Sequence, residues 1–199
     1  GSRGLGDVYK RQHRKFVEET GIAPAYINQF RTYSDVSRDK RPVKGQKVRV
    51  VTTAFNAIYT STDVPVLSED SSEYKWFKIP RRYIDRSIPK LAFDHYKILT
   101  DAANRLRVDL EYSGLATRFL PKHFTLGQIQ DVYEVIWEVD LDPANFRDKL
   151  TNVEGWIKEI KNPPKELDNR RGKPPTWYKE QDVPQFERMI SNPNGAVLR

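Results

Sequence analysis

The run from Phe124 to Lys179 places the tightest constraint on what this 199-residue chain can fold into. Leu126, Ile129, Val132, Tyr133 and Ile136 recur at helical spacing, so one face of a helix there is apolar, and Trp137 packs with it. Thr125-x-x-Gln128 is a capping box, in which the Thr hydroxyl and the Gln amide satisfy backbone groups that the first helical turn leaves free. Asp142-Pro143 starts a second helix, with Asp as the cap and Pro in the first turn. Phe146 and Leu150, one turn apart, give that helix a buried face, and Asn145, Arg147 and Lys149 lie off it. Gly155 precedes a strand over Trp156–Ile160. A Pro-rich segment from Asn162 to Pro175 carries Lys165, Arg170, Arg171 and Lys173, and Thr176–Lys179 reads as a return strand. Helix, turn, helix, strand, basic hairpin, strand is the layout of a winged helix-turn-helix, which points to duplex DNA.

The residue types suit that partner. Arg can fork onto guanine, Asn onto adenine, and Lys can meet a phosphate, so Asn145, Arg147 and Lys149 are the expected DNA-reading side chains. Arg170, Arg171 and Lys173 form a tip fit to lie along the backbone or the minor groove, and Thr125 completes the DNA-facing set. Two alternatives stay open: a solvated amphipathic helix, and a winged helix that binds another protein. Trp156 and Trp177 read as core rather than as platforms for bases.

Charge supports DNA less directly than the net value of +7 suggests. Residues 1–112 hold 21 Lys and Arg against 14 Asp and Glu, whereas residues 113–199 hold 13 of each, so the excess lies outside the DNA-binding half. Within that half the signs separate. Asp131, Glu134, Glu138, Asp140 and Asp142 crowd the first helix and turn; Arg147, Lys149, Lys158, Lys161 and Lys165 follow. A basic face opposite an acidic one still meets phosphates. The absence of cysteine excludes disulfides and thiolate metal sites and fits a cytoplasmic protein. His13, His95 and His123 are far apart in sequence, so no metal and no cofactor is expected. No apolar run reaches the roughly 18 residues of a membrane span, and no secretory h-region is visible.

Residues Gly1 to Gln12 show neither helical nor strand periodicity and read as a sequence-assembly scar to be left out of the fold. His13 to Ile22 reads as a short helix closed by Glu18 and Glu19, with Gly21 placed to end it. Tyr26–Tyr33 is strand-like, and Ser34–Gln46 is a charged loop punctuated by Pro42 and Gly45. Val48–Tyr59 is a long strand, Val64–Ser72 a polar loop and Tyr74–Ile79 a further strand. Asp94 is placed as an N-cap for a helix over His95–Val108, with Ile98, Leu99, Ala102, Ala103 and Leu106 as its stripe.

Arg14, Glu18, Glu19, Gly21 and Ile22 match the tail of the Nudix box, R-E-U-x-E-E-x-G-U, where U is a bulky apolar residue. Lys15 departs from it, since the family has a carboxylate there, and the earlier glycine and glutamate of the box have no counterpart. Tyr33-Ser34-Asp35 with Ser37-Arg38-Asp39 resembles F-G-D-x-x-R-D, and Leu91-Ala92-Phe93-Asp94-His95 resembles L-A-F-D-H. Phe124-Thr125-Leu126-Gly127-Gln128, Asn145-Phe146-Arg147 and Gly172-Lys173-Pro174-Pro175 with Tyr178 resemble F-T-L-x-Q, N-F-R and G-R-P-x-x-x-Y. Together these resemble the Nudix-related transcriptional regulators, over about His13 to Lys179. The resemblance implies a sensor that binds ADP-ribose, a related nucleotide or a sugar without turning it over. It places Arg38, Asp39, Glu18 and Glu19 at or beside that pocket. On residue types alone, Glu18 and Glu19 also fit a solvated helix end, and Arg38 and Asp39 an exposed pair.

The expected fold class is α+β: a partial, N-terminally truncated Nudix-like α/β/α sandwich followed by a winged helix-turn-helix. After residues 1–12, residues 13–93 form the sensing domain, 94–112 a linker helix, 113–182 the winged helix and 183–199 a tail. The expected function is a DNA-binding regulator controlled by a small-molecule effector, acting as a homodimer on double-stranded DNA, with no membrane partner and no catalytic residue. The alternative is a Nudix hydrolase acting on a nucleoside diphosphate derivative. Lys15 argues against it, because an ammonium facing the metal site repels the Mg²⁺ such a hydrolase needs.

Overall fold

A computed structural model describes residues 3–35, 38, 49–60, 91–164, 167 and 174–181, with the backbone alone of residues 3–9 and 19. The expected loop Val64–Ser72 and strand Tyr74–Ile79, most of the expected loop Ser34–Gln46, the basic tip of the hairpin and the tail from residue 182 onward lie outside the described residues. The chain divides into two compact units: Gly1–Tyr59 with Asp63–Arg105, and Thr60–Thr62 with Leu106–Arg199.

The N-terminal unit opens with α1 (Arg3–Thr20). This corrects the expectation that residues 3–12 carry no helix: from Arg3 onward their backbone continues the helix of His13–Thr20. Only nucleation of a helix is costly, and each further residue adds a hydrogen bond. No proline interrupts residues 3–12, and the glycines Gly4 and Gly6 fall in the first turn. Gly21 ends the helix at φ +72, donating its N–H to the Val17 carbonyl at 2.9 Å.

β1 (Tyr26–Tyr33) pairs antiparallel with β2 (Thr52–Ile58), from Tyr26 opposite Ile58 to Tyr33 opposite Thr52. An irregularity between Gln29 and Arg31 shifts the register by one residue. β2 is shorter than the expected Val48–Tyr59 strand, because it extends only as far as β1 offers partners. Ile27, Tyr33, Ala54 and Ile58 are buried. α2 (His95–Tyr112) begins where expected and runs one turn beyond Val108. The Asn56 side-chain amide reaches the Ala102 carbonyl of this helix at 3.4 Å.

The C-terminal unit takes the end of α2, a 3₁₀ segment (Gly114–Phe119), α3 (Leu126–Trp137), α4 (Pro143–Thr151) and the antiparallel pair β3 (Ile157–Glu159) and β4 (Tyr178–Glu180). Its core is aromatic. Tyr133 and Trp156 are fully buried, and Tyr133 meets Trp137 and Phe146 edge-on, with centroids 4.7 and 5.4 Å apart. Leu110, Leu115, Phe124, Ile129 and Leu150 close around them. Phe124 and Tyr178 exchange backbone hydrogen bonds at 3.0 and 2.8 Å, so the segment entering α3 is stitched to β4. The Thr117 hydroxyl lies 2.8 Å from Glu180 Oε1 and ties the 3₁₀ segment to the same strand. Among the described residues no helix is long and apolar enough to cross a membrane.

Candidate nucleic-acid interface

The first helix of the expected DNA-reading pair is fixed by its cap. Gln128 N–H donates to the Thr125 hydroxyl at 3.3 Å, and Thr125 N–H donates to Gln128 Oε1 at 2.9 Å. The reciprocal pair satisfies two free donors of the first turn. It also occupies the Thr125 hydroxyl, which was expected to face DNA. Of the apolar stripe, Ile129 and Tyr133 are buried and Leu126, Val132 and Ile136 are half-buried, with Trp137 buried beside them.

α4 is set by Asp142, whose carboxylate accepts the Asn145 N–H at 2.8 Å, and by Pro143, whose ring presets the first helical φ. Phe146 and Leu150 are buried at 3% and 0% exposure, while Asn145, Arg147 and Lys149 all stand in solvent. At about 100° per residue, Asn145 and Lys149 share one flank and Arg147 takes the other. The residue opposite the buried pair is Asp148, also exposed, which reasoning from residue types passed over. A carboxylate can accept from a cytosine amino group and repels phosphates, whereas a third cation beside Arg147 and Lys149 would only attract them.

Tyr178 of β4 lies within electrostatic range of the same helix. Burial raises the Tyr178 phenol above its ordinary value and the Glu159 carboxylate adds to the rise, while the Arg147 guanidinium works against it. The phenol therefore stays a neutral donor beside a cation of α4. The wing residues Arg170, Arg171 and Lys173 lie outside the described residues.

Of the residues expected at an effector pocket, Arg38 and Glu18 have described side chains. Arg38 is 6% exposed in its side chain and directs Nε and Nη2 to the two Asp94 carboxylate oxygens, each at 2.9 Å, and Nη1 to the Thr52 hydroxyl at 2.5 Å. The bonds from Arg38 hold the Asp94 carboxyl below the usual carboxylate range despite its burial. Asp94 thus precedes α2 as expected, but its carboxylate serves Arg38. Glu18 makes an exposed pair with Arg14 at 3.4 Å, and Asp39 and the Glu19 side chain lie outside the described residues. A second cluster was not anticipated. Asp101 Oδ2 accepts from the Tyr33 hydroxyl at 2.8 Å, Arg31 at 3.0 Å and Lys97 at 3.1 Å. Among the described residues no group of three or more His, Asp or Glu could hold a metal ion.

Residues 116–179 match the NrtR DNA-binding winged helix domain. The C-terminal unit holds an NrtR-type winged helix. A protein of Acinetobacter baylyi, the ADPR responsive transcriptional repressor NtrR, is 29% identical over 139 residues, covering 69% of this chain and 51% of that protein. The chain therefore spans about half the length of this curated relative. Shewanella oneidensis NrtR, solved in complex with a 27mer DNA, superposes with a TM-score of 0.66 at 25% identity, over 85% of this chain and 70% of that one. A MutT/nudix family protein from Enterococcus faecalis shares the fold with a TM-score of 0.65 at 22% identity, over 87% and 69% of the two chains. The α+β class, a Nudix-like part followed by the NrtR-type winged helix, is thus the fold of this chain.

Proposed function

We propose that the chain is a transcriptional regulator: the NrtR-type winged helix binds double-stranded DNA, and the Nudix-like part senses a small metabolite that controls this binding. The observation that carries the reading is α4, where buried Phe146 and Leu150 hold Asn145, Arg147 and Lys149 outward within the matched domain. The name of the Acinetobacter relative supports repression and makes ADP-ribose the first effector to try, ahead of related nucleotides and sugars. The chain acts as a regulator rather than a hydrolase. Lys15, exposed on α1, stands where a Nudix box presents a carboxylate, and it disfavours Mg²⁺ beside Glu18 and Glu19. Arg170, Arg171 and Lys173 contact the DNA backbone, and a homodimer engages two half-sites. We assign sensing to 13–93, linking to 94–112 and DNA binding to 113–182.

Fluorescence anisotropy of the full chain against a duplex enriched from a randomised library, and against a scrambled duplex of equal composition, tests this. Selective binding that weakens steeply with salt is expected, and ADP-ribose is expected to shift it. Arg147→Ala is expected to cost about 1–3 kcal/mol on the enriched duplex. Equal, weak binding to both duplexes would rule the regulator out. Steady turnover of ADP-ribose with Mg²⁺ would return the hydrolase reading.

A further inference from the structure

Buried Phe146 and Leu150 fix which face of α4 turns inward, but apolar contact has no direction of its own and tolerates a small roll of the helix about its axis. Five residues, Glu138 to Asp142, connect the two helices, and none of them is glycine. Glu134 gathers three of their five backbone N–H donors. Its carbonyl accepts from the N–H groups of Glu138 and Val139, and its carboxylate Oε1 accepts from Leu141 N–H at 2.9 Å. Gln130, one turn earlier on α3, donates from Nε2 to that same Oε1 at 2.8 Å and to the Leu141 carbonyl at 2.9 Å. Both polar groups of one peptide residue are thus held in a closed ring by two side chains of α3. Leu141 is the residue immediately before Asp142, the cap of α4.

We infer that Gln130 and Glu134 are positioning residues for DNA recognition: by clasping Leu141 they set the direction in which α4 presents Asn145, Arg147 and Lys149. The inference rests on the DNA-binding reading. Hydrogen bonds are directional and weaken steeply off axis, so the ring resists a roll that apolar packing tolerates. Base readout needs side chains aimed at particular groove atoms, whereas phosphate attraction needs only proximity. Loss of the clasp is therefore expected to lower sequence discrimination and leave attraction for DNA in general intact.

The experiment compares the full-length wild type with Glu134→Ala, Glu134→Gln and the milder Gln130→Ala. Each is titrated with a duplex enriched by the wild type and with its scrambled counterpart, across a salt series, after thermal unfolding shows which variants fold. Glu134→Ala and Gln130→Ala are expected to bind the enriched duplex roughly tenfold more weakly, as for loss of one well-aligned hydrogen bond. Their affinity for the scrambled duplex and its salt slope should stay as in the wild type. Glu134→Gln keeps an acceptor oxygen for Leu141 and is expected to restore discrimination. It also separates the loss of the clasp from the loss of a negative charge. Folded Ala variants that discriminate as the wild type does, or that lose both duplexes equally, overturn the inference. A wild type that enriches no sequence sinks the DNA-binding reading itself, a different result from these.

Discussion

In the C-terminal unit Phe124, Ile129, Tyr133, Leu150 and Trp156 are sealed from solvent around a set of edge-on rings. In the N-terminal unit the described buried apolar residues are Ile27, Tyr33, Ala54 and Ile58, and charged bonds hold the start of α2: Arg38 to Asp94, and Arg31, Tyr33 and Lys97 to Asp101. Apolar burial is indifferent to pH and tolerates small slips; paired charges demand geometry and a fixed protonation state. The unit matched to DNA binding is thus centred on apolar burial, which pH leaves unchanged, with the Arg107–Glu138 and Arg118–Glu180 pairs added to it. The unit proposed to sense a metabolite leans more on paired charges, which respond to pH.

The sharpest way to break this contrast is to remove one element from each side. Trp156→Ala empties the centre of the C-terminal core and is expected to cost about 3–5 kcal/mol in urea unfolding followed by circular dichroism. A loss below about 1 kcal/mol would mean that the core is centred elsewhere. Arg38→Met leaves the Asp94 carboxylate largely hidden without its main partner and is expected to cost about 2–4 kcal/mol. If it costs no more than Arg14→Ala, at the exposed Arg14–Glu18 pair, the charged bonds of the N-terminal unit are ornament.

Acid separates the units in a graded way. Asp94 is held low by Arg38. At Asp101, burial acts upward but is outweighed by the bonds from Tyr33 and Lys97 and by the charges of Lys97 and Arg31. Both carboxyls therefore titrate below their unfolded value of 3.8. Their stabilisation is present above that value and is lost as pH falls through the lower folded values. Unfolding followed from neutral pH downward should show the N-terminal unit weakening first, and Asp94→Asn should flatten that dependence. Parallel weakening of both units would remove the distinction. The smallest effect sharpens the C-terminal side: Thr125→Ala removes half of the capping box and is expected to cost about 1 kcal/mol, with no change in salt slope on DNA.

The elements that sequence reveals best here are those fixed by neighbours in the chain. Thr125 and Gln128, Asp142 and Pro143, and the pair Phe146 and Leu150 state their roles within a single helical turn, and each appears as its spacing requires. Tyr26–Tyr33 is a strand with the expected bounds. Contacts between distant residues left no such trace. Arg38 and Asp94 are 56 residues apart, and nothing in either segment says that they meet. Asp94 has the composition of a cap and serves as an ion-pair partner, because a buried guanidinium competes successfully for its oxygens. The Gln130, Glu134 and Leu141 ring was hidden for another reason. On a helical wheel Gln130 and Glu134 are ordinary polar residues, and their role exists only once the turn folds back upon them.

Glu138 stands in the left-handed region at φ 60, where a side chain other than glycine costs roughly 1–2 kcal/mol. Its carboxylate accepts from Arg107 Nη2 at 2.6 Å, and Arg107 Nε reaches the Ile136 carbonyl at 3.1 Å. A glycine at this position would relax the backbone and release the arginine at once. The two changes oppose each other in total stability but act together on stiffness, since both loosen the joint between α3 and α4. A variant such as Glu138→Gly can therefore melt at an unchanged temperature and still be a slacker molecule, a difference that amide hydrogen exchange across residues 136–142 would register and a melting curve would not.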